Sequence, residues 1–117
     1  MLRVDLPPGL SKKPGAHLEN LVPELSRIFS TIVEVWRENQ APDPIITSGN
    51  DSQVHVRNSF HYRNQAIDLR GNNIPQWKLQ TLAQKLQERL GKIFRILPEF
   101  YPRSPGRNHI HIEYIGN

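Results

Sequence analysis

Apolar residues recur at three- and four-residue steps from Leu18 to Trp36: Leu18, Leu21, Val22, Leu25, Ile28, Phe29, Ile32, Val33 and Trp36. On a helix this spacing gathers them into one stripe, with Glu24, Arg27, Glu34 and Arg37 on the other side. Pro23 interrupts the run. A proline inside a helix costs roughly 3 kcal/mol, so the pattern predicts a short turn ahead of Pro23 and the main helix after it. Ala41-Pro42-Asp43-Pro44 cannot continue that helix. A second stripe, Leu79, Leu82, Ala83, Leu86 and Leu90, predicts another helix with Pro75 in its first turn and Gly91 as its C-terminal cap.

Between and after these helices the pattern shortens to alternation and β-branched runs. Strands are predicted over 44–48 (PIITS), 65–69 (QAIDL), 92–97 (KIFRIL) and 109–115 (HIHIEYI). Residues 98–108 hold three prolines and a glycine and read as a loop. The order is helix, strand, strand, helix, strand, strand. Short connections favour an α+β fold: a small antiparallel or mixed sheet with helices packed on one face. Residues 1–16 contain three prolines and two glycines and read as an extended N-terminal arm, leaving 17–117 as one domain. Trp36 and Trp77 are both expected to be buried against the helices.

Composition narrows the chemistry. The chain has 117 residues and no cysteine, which removes disulfides, thiolate metal sites and cysteine nucleophiles together. Any transition metal must be held by histidine and carboxylate. A membrane helix needs about 20 consecutive apolar residues, and only short apolar runs occur. The net charge of +4 with a pI near 9.8 suits an anionic partner. The arginines are scattered rather than lined along one element, which argues against a nucleic-acid binder.

Three histidines and an aspartate carry the chemistry. His109, His111 and Glu113 alternate with Ile110, Ile112 and Tyr114, so the two sets point to opposite faces of the last strand. The isoleucines belong to the core, which leaves both histidines on the polar face. Asp68, between Ile67 and Leu69, faces the same way in its own strand. If the two strands lie close, Asp68 and His111 converge, and His61 can fold back from the loop just before. Two imidazoles and one carboxylate with a fourth position open to water form a common catalytic zinc set. The neutral rings leave the ion its charge, so it acidifies a bound water toward a pKa of about 7. A base must then take the proton. His109 is placed for this, and the rival reading is that it only hydrogen-bonds to a group that holds the metal. Glu113 is the second choice as base and reads otherwise as a solvated strand residue.

The segment SFHYRNQAID resembles the S-x-H-x-x-G-x-A-x-D signature of zinc peptidases with the Hedgehog/D-Ala-D-Ala carboxypeptidase fold. Ser59, His61, Ala66 and Asp68 match it, and Asn64 stands at the glycine position. HIHIEY resembles that superfamily's closing H-x-H strand, and ITSG (46–49) resembles the strand and turn ahead of its first histidine. The resemblance implies zinc ligands at His61, Asp68 and His111 and a catalytic role for His109, as in the murein endopeptidase-like branch. It implies hydrolysis of peptide bonds in peptidoglycan stems or cross-links. Apart from that peptide substrate, neither nucleic acid nor membrane is expected as a partner, and the expected state is a monomer. Ser59, His55 and Arg57 are secondary candidates for contacting substrate. The arginine that many relatives carry just after the S-G turn has no counterpart before Arg57, and Asn108 stands where some branches have an acid. Those departures motivate an alternative, a catalytically silent metal-binding module of the same fold. The opening residues lack the apolar core of a signal peptide. A phage lysis enzyme, cytoplasmic until released, or a virion-associated one is the corresponding expectation.

Overall fold

The computed structural model of the protein describes residues 5–50 and 60–116. Its elements are β1 (Ser11–Lys12), α1 (Pro23–Ser26), α2 (Phe29–Glu38), β2 (Ile45–Ser48), β3 (Ala66–Arg70), α3 (Gln76–Leu90), β4 (Phe94–Glu99) and β5 (His109–Tyr114). The strands form one mixed sheet in the order β1-β2-β3-β5-β4. Among the described residues only the β1–β2 pair is parallel. The radius of gyration is 13.2 Å, against about 13 Å for a compact unit of this length.

One face of the sheet carries the core. Ile46, Ile67, Leu69, Phe94, Ile96, Ile110 and Ile112 join Phe29, Ile32, Val33 and Trp36 of α2 and Leu79, Leu82 and Leu86 of α3 in a single apolar cluster. Both predicted stripes therefore face the sheet, and the fold is α+β with its helices on one side. Among the described residues no helix is long and apolar enough to cross a membrane. The first helix differs in detail from its prediction. Pro23 opens a one-turn helix instead of merely following a turn, and the chain re-aims at Arg27–Ile28 before α2. A proline at the first helical position lacks only an amide that would have had no intrahelical partner. Gly91 ends α3 with φ 81°, a conformation glycine adopts at no steric cost, and its amide donates to the Gln87 carbonyl.

Three further differences bear on the site or the surface. Ser11–Lys12 of the predicted arm forms a short parallel edge strand on β2. At the opposite edge β4 runs on through Pro98 to Glu99, where the sequence reading stopped at Leu97. An edge strand tolerates proline because its outward amide needs no ladder partner. The extension sets Glu99 opposite His109. Trp77, expected to be buried, is 66% exposed in the first turn of α3, while Trp36 is 1% exposed. Trp77 precedes the first leucine of the α3 stripe by two positions, which turns it to the outer face.

Candidate metal centre

The polar face of the sheet is a grid fixed by register. Asp68 pairs with His111, which pairs with Leu97. One step along, Arg70 pairs with His109, which pairs with Glu99. One step the other way, Glu113 lies between Ala66 and Arg95. The alternation read from HIHIE is thus realised: Ile110 and Ile112 are fully buried in the core while His109 and His111 face the other side.

His61 reaches this grid through a tight local device. Phe60–Arg63 is a 3-10 turn, and Asn64 follows it with φ 60°. The Asn64 and Gln65 amides donate back to the His61 and Phe60 carbonyls, so the chain reverses into β3. Asparagine is among the residues that best tolerate this left-handed conformation, so it serves where the signature has glycine. Its side-chain carbonyl also accepts a hydrogen bond from the Asn50 amide, tying the turn to the end of β2. The neighbouring Gly49 has no room for a side chain, because a Cβ there would collide with the His17 carbonyl. The Gly49 carbonyl lies 2.8 Å from His61 Nδ1.

A carbonyl only accepts, so His61 Nδ1 carries a proton, and in the neutral ring Nε2 carries the lone pair. His111 Nε2 lies 2.8 Å from Glu113 Oε1 and Nδ1 lies 2.9 Å from Asp68 Oδ1, so the neutral ring can donate to either carboxylate, and with its proton on Nε2 the Nδ1 lone pair faces the triangle. These two lone-pair nitrogens face each other at 3.2 Å. Asp68 Oδ1 completes the triangle at 2.9 Å from His111 Nδ1 and 3.3 Å from His61 Nε2. In these neutral tautomers three acceptors converge, and two of them have their other hydrogen-bonding atom already engaged.

The dimensions suit an ion. A tetrahedral ion with ligands at 2.0–2.1 Å sets its donor atoms about 3.3 Å apart, close to the three edges observed. His61, Asp68 and His111 are the group of described residues able to hold a metal in this way. Burial by itself would raise the Asp68 carboxyl. With protons on the facing ring nitrogens instead, hydrogen bonds from His111 and His61, and the charges of His61 and His109, outweigh it and hold that carboxyl well below the carboxylate range. Burial by itself would lower His111, but Asp68 and Glu113 on its two sides overcome this and raise it. The same pair of carboxylates that favours a proton on His111 favours a metal cation there, so the two compete.

Beside the triangle, His109 Nδ1 donates to the Arg107 carbonyl at 2.9 Å, and Nε2 points into the cleft. Glu99 Oε1 lies 3.2 Å from that nitrogen, and Asp68 Oδ1 lies 3.8 Å from it. Tyr101 stacks on the His109 ring with centroids 5.8 Å apart. The cleft over the grid has a volume of about 810 Å³ and is lined on its floor by His61, Asp68, His109 and His111.

The structure brings together all four of the histidines and aspartate singled out in the sequence. The secondary substrate candidates His55, Arg57 and Ser59 lie outside the described residues. Glu113 is not the solvated strand residue expected: it is 8% exposed, held between His111 and Arg95. Its position two residues after His111 on the same strand face was the available signal. Glu99 was missed because Pro98 hid the end of its strand. No protein-family model, curated protein or solved structure matches the chain.

Proposed function

We propose that the protein is a zinc-dependent hydrolase that cuts peptide bonds in peptidoglycan stems or cross-links. The observation that carries this is the triangle of His61 Nε2, His111 Nδ1 and Asp68 Oδ1, with edges of 2.9–3.3 Å at the floor of an open cleft. Two imidazole nitrogens and one carboxylate oxygen suit zinc better than magnesium or calcium, which prefer oxygen ligands throughout. Zinc in such a set supplies an acidified water and polarises a carbonyl. His109 is the proton carrier: its ring is oriented by the Arg107 carbonyl and braced by Tyr101, and its Nε2 faces the cleft beside the ligands. Glu99 steadies that nitrogen in its charged form and is the nearest carboxylate other than a ligand. The resemblance of SFHYRNQAID and HIHIEY to the Hedgehog/D-Ala-D-Ala carboxypeptidase signature supplies the substrate class. The test is release of soluble peptide from purified sacculi by the zinc-loaded protein, with and without chelator. Chelator-sensitive release is expected; chelator-insensitive release, or none with any divalent metal, overturns the reading.

A second reading is a metal-stabilised module without catalysis. It is favoured by the way the three ligands tie together a loop, β3 and β5, so that an ion would brace the fold whether or not it served chemistry. It predicts a higher melting temperature with zinc and no cleavage.

A further inference from the structure

We infer that Asn50 is a positioning residue for the metal centre: it latches residues 17–22 onto the turn that carries His61, so that a bound zinc and the docked segment strengthen each other. This rests on the metal centre alone, since it needs an ion at His61 and no reaction there. The segment is anchored by its own side chains, for Leu18 and Leu21 are buried in the core cluster. It passes close over Gly49, whose missing side chain leaves room for the His17 carbonyl. Asn50 is where it meets the site. The Asn50 backbone amide donates to the His17 carbonyl at 2.8 Å. Its side-chain nitrogen donates to the Glu19 carbonyl at 2.7 Å and to Asn64 Oδ1. A primary amide has two N–H groups, and here one goes to the segment and the other to the His61 turn. Aspartate would set acceptors against both of these oxygens, and serine has one proton to give.

Both ends of His61 depend on this latch. Its ring is oriented by the Gly49 carbonyl, the group just before Asn50, at 2.8 Å from Nδ1. Its backbone carbonyl accepts from the Asn64 amide at 3.1 Å, and the Asn64 carbonyl accepts from the Val22 amide at 3.0 Å. Residues 17–22 therefore hold the Gly49–Asn50 turn at one point and Asn64 at another. Ser48, one residue further back, is the register partner of Asp68, so the same turn borders a second ligand. An ion that fixes the His61 ring fixes the groups that receive the segment. The docked segment in turn pre-orients the ring for the ion. Linkage makes the two effects equal in size.

The test uses the full chain with zinc and with chelator. Asn50→Ala is expected to bind zinc about tenfold more weakly in competition with a chromophoric chelator, as for other outer partners of a metal ligand. In the zinc-loaded variant the His61 ring-nitrogen resonances are expected to move while those of His111 stay, a pattern that a general loss of stability does not produce. Hydrogen exchange on the wild type reads the reciprocal effect and needs no variant, so it decides the matter if Asn50→Ala fails to fold. Zinc is expected to slow exchange of the Asn50 and Val22 amides by about tenfold more than that of the Gly91 and Ser104 amides, which close turns away from the ligands. Unchanged zinc affinity in Asn50→Ala, or a uniform change in exchange at all four amides, overturns the latch and leaves the metal centre standing. Failure of the wild type to bind zinc overturns the centre and the latch together, whereas zinc binding with the expected exchange pattern and no peptide cleavage overturns only the hydrolase reading.

Discussion

Glu113 Oε1 lies 2.8 Å from His111 Nε2, on the side of the ring away from Asp68. That carboxylate settles which His111 nitrogen faces the triangle, and it raises the basicity of the nitrogen that would bind metal. Arg95 takes the other Glu113 oxygen at 3.1 Å and holds the group in place. Glu113→Ala is expected to weaken zinc binding by about 10- to 100-fold, the usual cost of removing an outer partner of a histidine ligand. Competition with a chromophoric chelator measures it, and an unchanged affinity would remove Glu113 from the site.

The opposite carboxylate sets a pH dependence in the metal-free protein. Asp68 is depressed in the folded state, so its contribution is present above its ordinary value of 3.8 and fades as pH falls below that. His111 is raised, so its contribution is complete below 6.5 and is lost as pH rises through its higher folded value. Melting temperature without metal should therefore peak between about pH 4 and 6.5. A scan of melting temperature against pH in chelator that rises steadily from 6 to 9 would contradict this.

The turn that delivers His61 makes a backbone prediction. Asn64→Gly should be close to neutral, because glycine reaches φ 60° without strain. Asn64→Val should cost about 1–2 kcal/mol, since a β-branched residue resists that conformation. Gly49→Ala should be worse and should also weaken metal binding, because it drives the Gly49 carbonyl away from His61 Nδ1. Urea unfolding of the three variants ranks them, and a well-folded Gly49→Ala with full zinc affinity would refute the mechanism.

How much of this was legible beforehand follows from how local each signal is. The alternation in HIHIE fixes the faces of β5 without any knowledge of its neighbours, and QAIDL does the same for Asp68. The convergence of Asp68 with His111 needs strand order, which periodicity does not carry, yet the two prove to be register partners. Asn64 signalled a left-handed residue by its identity. Glu99 was invisible because proline is read as a strand breaker unless the strand is known to lie at an edge, and edge position is a property of the whole sheet. Ser11–Lys12 escaped for the same reason: two residues carry no period, and only pairing with β2 makes them a strand. Glu113 looked solvated because a lone glutamate usually is. Its burial depends on Arg95 arriving from β4.

His109 and Glu99 separate chemistry from metal retention. His109→Ala should leave zinc content intact and lower kcat on a chromogenic peptide by about 10²- to 10⁴-fold, the range for a lost proton carrier. Glu99→Gln should lower kcat less and leave KM within a few-fold. Loss of zinc in His109→Ala would instead place that ring among the ligands.

The most direct measurement is zinc K-edge absorption on the loaded protein, paired with metal analysis of wild type and Asp68→Ala. One zinc per chain is expected, with a first shell of nitrogen and oxygen at about 2.0–2.2 Å that includes two imidazoles, and a loss of most of that metal in Asp68→Ala. Zinc absent from the wild type, or bound equally well after Asp68→Ala, would contradict a centre built from His61, Asp68 and His111.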